Sequence, residues 1–264
     1  MTEPTPADTS MRRLSLPMFG VVVLIYLAII QGVGLVTLGL ADLDDGKLLT
    51  VRQVLSAFWI PLGLALAFTF GVITFLRWWR PVLHDDQPVQ RWVWFVPIAF
   101  VASIVIGTNY GQLADRGLAF TIVLLIATQF VGWGEEGMFR GIGVIALRQH
   151  GLTERRVALW SSLIFGAVHL TNAIGRGASA IPQALAVSCA GYFFYLIRRV
   201  SKGNVVNSVL HGLFDFSILT TAGIAVDPKV SVGAVAPILL YVVVGLVLII
   251  RRRHILVAPP PGSA

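Results

Sequence analysis

Eight apolar segments constrain the fold of this chain more than any other feature of its sequence. Each is close to the roughly 20 residues that a membrane-spanning helix needs. Hydrophobic residues make up 56% of the chain and charged residues 12%, which is about half the charged fraction of an ordinary soluble domain. The sequence therefore predicts an all-α, polytopic membrane protein, a single bundle of about eight transmembrane helices. The segments cover approximately 17–40, 54–76, 92–107, 118–134, 157–171, 181–197, 205–224 and 234–250.

Basic residues between these segments predict the orientation of the bundle. With the N-terminus inside, the inside segments carry 14 Lys and Arg and the outside segments carry 5, with Arg140 set aside as part of a motif. This bias follows the positive-inside rule for an even number of spans, so both termini are predicted to be cytoplasmic in a multi-pass protein of the cell membrane. The net charge is +7, but the basic residues cluster beside apolar segments, which favours contact with membrane lipid over nucleic-acid binding.

The apolar segments also divide the chain into regions. The first apolar segment is longer than the roughly 7–15 residues of a signal-peptide core, so we expect it to be retained as a span. The single cysteine, Cys189, lies in an apolar segment and is interpreted as a small apolar side chain, which disfavours thiol chemistry. The predicted regions are a polar tail at 1–16, three helices in 17–117, a core of helices four to seven in 118–224, an eighth helix in 225–254 and a disordered Pro-rich tail at 255–264.

Three clusters, each with at least one ionisable residue, interrupt the apolar segments. An ionisable side chain inside a membrane is costly unless it faces a partner or a polar cavity, so each cluster is a candidate functional site. The clusters are Glu135, Glu136 and Arg140 at the end of the fourth segment, Phe165 and His169 in the fifth, and Asn207, His211 and Asp215 in the seventh.

The acidic cluster contains two adjacent glutamates with different expected environments. Neighbouring residues on a helix point about 100° apart, so Glu135 and Glu136 are predicted to face different directions. Glu136 and Arg140 are four residues apart and should form an ion pair on one face, which leaves Glu135 freer. A partly desolvated glutamate suits general-base catalysis near neutral pH. The alternative is an acidic pair solvated at a helix end.

The two histidine clusters point toward the same region. His169 lies about 12 residues into its segment, roughly 18 Å deep at 1.5 Å per residue. Asn207, His211 and Asp215 form one polar stripe along a helix. Alone, His169 could be a structural histidine and the stripe an interhelical hydrogen-bond seam. Together, the deep ionisable residues predict one polar cavity that opens toward the cytoplasm.

In order and spacing, the clusters resemble the EExxxR, FxxxH and HxxxN/D motifs of the CAAX prenyl protease and bacteriocin-processing (CPBP, Abi-like) family of intramembrane proteases. The resemblance covers about 118–215. It implies a glutamate-dependent intramembrane endopeptidase with a protease-like catalytic core at 118–224. The substrate would be a membrane-associated peptide or protein that reaches the cytoplasm-facing cavity.

The resemblance also implies roles for individual residues. Glu135 and His169 would activate a water for attack on the peptide carbonyl. His211 and Asp215 would stabilise the oxyanion or orient the site. The supporting residues would be Glu136, Arg140, Phe165 and Asn207.

Asp215 departs from the asparagine that many members of this family carry. An amide donates a hydrogen bond to an oxyanion, whereas an ionised carboxylate cannot. Asp215 would instead orient His211 and keep it protonated, or be protonated itself. A zinc-dependent variant would use Glu135, His169 and His211 as a His₂Glu ligand set, although the chain lacks an HExxH motif; otherwise no cofactor is expected.

Two other classes of function are compatible with the sequence. A non-catalytic scaffold or immunity protein of the same fold would bind a partner through structural motif residues. A proton-coupled transporter would use the same acidic residues and histidines as a relay. The sequence contains no recognisable internal repeat, which counts against a transporter.

Overall fold

A computed structural model describes residues 11–41, 48–87, 89–222, 224 and 232–255. Residues 1–10 of the predicted polar tail at 1–16 and residues 256–264 of the predicted Pro-rich tail at 255–264 lie outside the described residues, as do Lys47 and Lys229 of the charge pattern. The main helices are α1 (Leu16–Gly39), α2 (Val51–Leu76), α3 (Trp79–Leu83), α4 (Arg91–Gly107), α5 (Tyr110–Arg116), α6 (Leu118–Gln149), α7 (Glu154–Val168), α8 (Ala180–Val200), α9 (Asn204–Ala222) and α10 (Val232–Ile250).

The described elements confirm an all-α, polytopic membrane protein. Five helices, α1, α2, α6, α8 and α9, are long and apolar enough to cross a membrane. A sixth span results if α4 and α5, which meet at an angle of 55°, count as one. Each predicted apolar segment overlaps a helix, but α7 has only 15 residues, and the apolar stretch of α10 whose side chains are described is limited to Val235–Ile250. The count of eight spans and the cytoplasmic position of both termini therefore stay predictions.

The fourth predicted helix, α6, extends beyond the apolar segment predicted at 118–134. It continues through the acidic motif to Gln149. A hydropathy profile treats Glu136 and Arg140 as two separate charges. In the structure they form an ion pair, with Arg140 Nη1 3.1 Å from Glu136 Oε1, and both side chains are fully buried. Over Glu136–Gly143 the helix is a π-helix, a rare conformation that is frequent at functional sites.

Backbone-to-backbone packing holds α6 against α9. A Cβ atom on Gly132 would overlap the carbonyl oxygen of Ser208 and lie 2.6 Å from the amide nitrogen of Gly212. Small residues allow membrane helices to approach this closely. The contact places the acidic end of α6 beside the polar stripe of α9.

A buried cluster of ion pairs connects α8 with the loop after α3 and with the start of α7. The side chain of Asp85 is fully buried and receives Arg198 Nε at 2.8 Å and Arg148 Nη1 at 3.0 Å. Glu154 receives Arg148 Nε and Arg199 Nη1, both at 2.8 Å. Arg198 and Arg199, which the charge pattern counts among the basic residues beside the membrane, are buried in these ion pairs. Their acidic partners are distant in sequence.

Asp85 is expected to make stability depend on pH. Burial alone would raise the pKa of this carboxyl, but Arg198 and Arg148 outweigh burial and hold the pKa below its usual value. Its stabilising effect is therefore complete above the unfolded pKa of about 3.9 and is lost as the pH falls below that value. We expect the difference in melting temperature between wild type and Asp85→Asn to shrink below about pH 4. A difference that stays constant from neutral to strongly acidic pH would contradict this assignment.

Candidate active site

The three predicted clusters meet between α6, α9 and the end of α7. Glu135 and Glu136 project from α6 where it changes from α-helix to π-helix. His211 projects from α9. His169 lies one residue beyond α7, at the start of a 3₁₀ turn over His169–Asn172. The sequence had placed this histidine inside a longer fifth span.

Glu136 is the centre of a buried hydrogen-bond network. Its Oε1 accepts from Arg140 Nη1 at 3.1 Å and from His211 Nδ1 at 2.7 Å. Its Oε2 accepts from Asn207 Nδ2, and the same amide nitrogen donates to Asn204 Oδ1 at 3.2 Å. Both oxygens of one carboxylate are thus engaged, and the network fixes the imidazole of His211 relative to α6.

The other nitrogen of His211 faces two further carboxylates. His211 Nε2 lies 3.7 Å from Glu135 Oε2 and 3.6 Å from Asp215 Oδ2. Both distances are too long for direct hydrogen bonds. Glu135 Oε2 is buried and has no hydrogen-bond partner among the described residues. The side chains of Glu135 and Asp215 are 14% and 28% exposed, so this side of the site is the more open one.

The two adjacent glutamates are arranged differently from the sequence expectation. They do not point to separate surroundings, because both reach the same imidazole ring. Glu136 contacts Nδ1 of His211 and Glu135 faces Nε2, which is possible because the two nitrogens lie on different edges of the ring. The predicted pair between Glu136 and Arg140 is present.

An aromatic contact links His169 to this network. His169 Nδ1 donates to the carbonyl oxygen of Phe165 at 2.8 Å, which leaves Nε2 as the nitrogen able to accept. The Phe165 ring packs edge-on against His169, with centroids 4.9 Å apart, and against His211 at 5.9 Å. The guanidinium of Arg140 lies 3.9 Å from the centroid of the Phe165 ring, a cation–π contact.

Two residues that sequence reasoning missed support the histidines. Phe194 of α8 stacks on the His211 ring with centroids 4.3 Å apart. Phe194 could not be identified from the sequence, because it is one of many apolar residues in an apolar segment. Gln31 of α1 donates to Thr171 Oγ1 at 3.0 Å and to Asn172 Oδ1 at 3.3 Å. Gln31 could have been identified from the sequence, because it is a polar residue in the middle of an apolar segment.

The candidate zinc ligands do not form a metal-binding set. Among the described residues, no group of three His, Cys, Asp or Glu side chains is placed to hold a metal ion. Nδ1 of His211 is bonded to Glu136, so Nε2 is the nitrogen of this ring that a metal ion could contact. Zinc dependence of the reaction stays an alternative prediction, which a chelator experiment tests.

Residues 117–217 match the family model for the Type II CAAX prenyl endopeptidase Rce1-like proteins. The match begins just before α6 and ends within α9, so it includes every residue predicted for the site. It confirms the resemblance that the motifs indicated. Neither the curated proteins nor the solved structures give a significant match to this chain.

Proposed function

We propose that this protein is an intramembrane endopeptidase of the CAAX-protease type, with Glu135 as the general base. One observation carries the proposal. Glu135 Oε2 is buried, lacks a hydrogen-bond donor among the described residues and faces His211 Nε2 at 3.7 Å. A carboxylate oxygen in this position suits proton abstraction from a water beside the substrate carbonyl.

His211 suits the role of oxyanion donor. Its Nδ1 bonds one carboxylate and its Nε2 lies within 4 Å of two others, an arrangement suited to a ring that carries a proton on each nitrogen. The bond from Nδ1 to Glu136 and the stacked ring of Phe194 hold the imidazole in place. Its Nε2–H would then donate to the negative charge that develops on the carbonyl oxygen. Asp215, whose carboxylate faces the same nitrogen, would orient the ring.

His169 would complete the water site. Its Nδ1–H is fixed by the Phe165 carbonyl, so Nε2 is the nitrogen that would accept from the water. Glu135 would take one proton as the oxygen adds to the carbonyl carbon. The same carboxyl would then give that proton to the departing amine as the C–N bond breaks.

The substrate would be a membrane-associated peptide or protein segment. The more open side of the site, at Glu135 and Asp215, is the side from which a peptide would enter. We propose that this side faces the cytoplasm and that the protein resides in the cell membrane, in line with the charge pattern of the sequence.

Cleavage is expected to depend on His169. We propose to assay purified protein in detergent with quenched fluorescent peptides, one prenylated and one not. His169→Ala should lower kcat by about 10²–10⁴-fold, the usual contribution of a positioned acid–base group. His150→Ala is the matched control, since His150 Nδ1 also bonds a backbone carbonyl at 2.8 Å, that of Ala146, but contacts no residue of the site.

Two outcomes of this assay would change the mechanism. A His169→Ala variant with the kcat of wild type would remove the histidine from the reaction. Activity should persist with a zinc chelator, because the site residues do not form a ligand set. Activity lost to the chelator and restored by zinc would replace the general-base mechanism with a zinc-dependent one.

A further inference from the structure

A large cavity lies between α7, α8 and α10, apart from the candidate active site. Its volume is about 910 Å³, at the upper end of the roughly 300–1,000 Å³ typical of small-molecule sites. None of the acidic residues or histidines of the active site lines it. Its walls are formed mainly by apolar side chains, among them Leu159, Leu163, Phe193, Leu196 and Leu248.

One end of this cavity is strongly basic. Arg155 at the start of α7 and Arg252 and Arg253 just after α10 line it, and all three are exposed. None of the three forms an ion pair with another described residue. The carboxylate at this end, Glu154, is already bound by Arg148, Arg199 and the hydroxyl of Tyr195. The mouth of the cavity therefore carries positive charge that the described residues do not compensate.

The apolar part of the cavity is elongated and open to the outer surface of the protein. Tyr241 and Leu248 both line it, so it extends along at least about 10 Å of α10 at 1.5 Å per residue. Leu159 and Ile249 on its walls are 53% and 63% exposed. An apolar groove on the outer surface of a membrane protein is accessible to lipid chains from the side.

We propose that this cavity binds one anionic phospholipid. The phosphate would lie between Arg155, Arg252 and Arg253, and an acyl chain would lie along the apolar walls toward Tyr241. Basic residues beside a membrane attract anionic headgroups, and here they stand at the end of a groove that is shaped for a chain. A zwitterionic lipid would leave part of this charge uncompensated, and an acidic peptide would leave the apolar groove unfilled.

A binding experiment can distinguish a specific contact with the headgroup from attraction to the basic protein surface in general. Wild-type protein in detergent would be titrated with phosphatidylglycerol or phosphatidylcholine, and one-to-one adducts would be counted by native mass spectrometry. We expect wild type to bind phosphatidylglycerol on the order of tenfold more tightly than phosphatidylcholine, since each basic residue near an anionic headgroup contributes favourably. The double variant Arg155→Gln/Arg252→Gln should lose this preference.

The matched control removes the same charge from outside the cavity. Arg156 and Arg251 are exposed sequence neighbours of the two altered residues, and neither lines the cavity. Arg251 lies against the ring of Trp92 instead, 5.0 Å from its centroid. The variant Arg156→Gln/Arg251→Gln should keep the preference of wild type. Equal losses in the two double variants would show attraction to surface charge alone and would overturn the proposal.

The acyl-chain contact has its own test. Gly245 lines the cavity, and a Cβ atom there would meet no other atom within 4 Å. Gly245→Leu should place apolar atoms in the groove and weaken phosphatidylglycerol binding about tenfold or more, since a leucine side chain would occupy space needed by the chain. Gly71→Leu, at an equally open position outside the cavity, should bind as wild type does. Unchanged binding by Gly245→Leu would overturn the proposed placement of the chain.

Discussion

Replacement of Glu135 by glutamine is expected to lower kcat for peptide hydrolysis by about 10²–10⁴-fold without unfolding the protein. Glutamine has nearly the same shape as glutamate but cannot accept a proton from water. Glu135 Oε2 makes no hydrogen bond with another described residue, so the substitution removes no bond at that oxygen. Steady-state kinetics on the peptide substrate, together with the melting temperature, would measure both effects.

Substitution of the neighbouring Glu136 is expected to have a different effect on stability. Glu136 accepts hydrogen bonds from Arg140, His211 and Asn207 and is fully buried. Glu136→Gln should therefore lower stability as well as activity, because it leaves the Arg140 charge buried without its partner. Glu135→Gln should lower activity alone. A Glu135→Gln variant with wild-type turnover would contradict the general-base role. An unchanged phenotype in cells would favour the non-catalytic scaffold.

The largest effect on stability is expected from Arg198→Met. Arg198 donates to Asp85 at 2.8 Å and to the carbonyl oxygens of Val82 and Pro81, each at 2.7 Å. Loss of the guanidinium would leave a fully buried carboxylate with less compensation, which typically costs about 3–5 kcal/mol. Equilibrium unfolding in detergent or mixed micelles would measure the change in the free energy of unfolding.

Two further variants distinguish the loss of stability caused by breaking the ion pair from any loss caused by removing an arginine. Arg155→Met alters an exposed side chain and should change stability by no more than about 0.5 kcal/mol. Addition of Asp85→Asn to Arg198→Met should restore part of the lost stability, because it removes the buried negative charge. An Arg198→Met protein as stable as the Arg155→Met protein would show that the buried pair contributes nothing.

Local sequence patterns predicted the helices and the motif residues that come together between α6, α9 and the end of α7. Apolar segments predict membrane helices because lipid imposes length and composition on each segment separately. The spacing of Glu136 and Arg140 predicted their ion pair because that pair lies within one helix. The motif residues of α6, α7 and α9 were predicted to meet because polar side chains at membrane depth need each other.

Contacts between distant segments could not be predicted in the same way. Asp85 pairs with Arg198 across 113 residues, and nothing local to either residue indicates the other. The stacking of Phe194 on His211 depends on how α8 rotates against α9. The continuation of α6 beyond residue 134 depends on neutralisation of its charges, which a hydropathy profile does not include.

Hydrolysis by water activated at Glu135 can be tested most directly through the products. Wild-type protein and Glu135→Gln would be reconstituted in lipid vesicles and incubated with the prenylated and unprenylated peptides in H₂¹⁸O. Mass spectrometry would then identify the fragments. Our account predicts two fragments from wild type, with one ¹⁸O atom in the new carboxyl group, and intact peptide from Glu135→Gln. Formation of the same fragments by Glu135→Gln at the wild-type rate would contradict it.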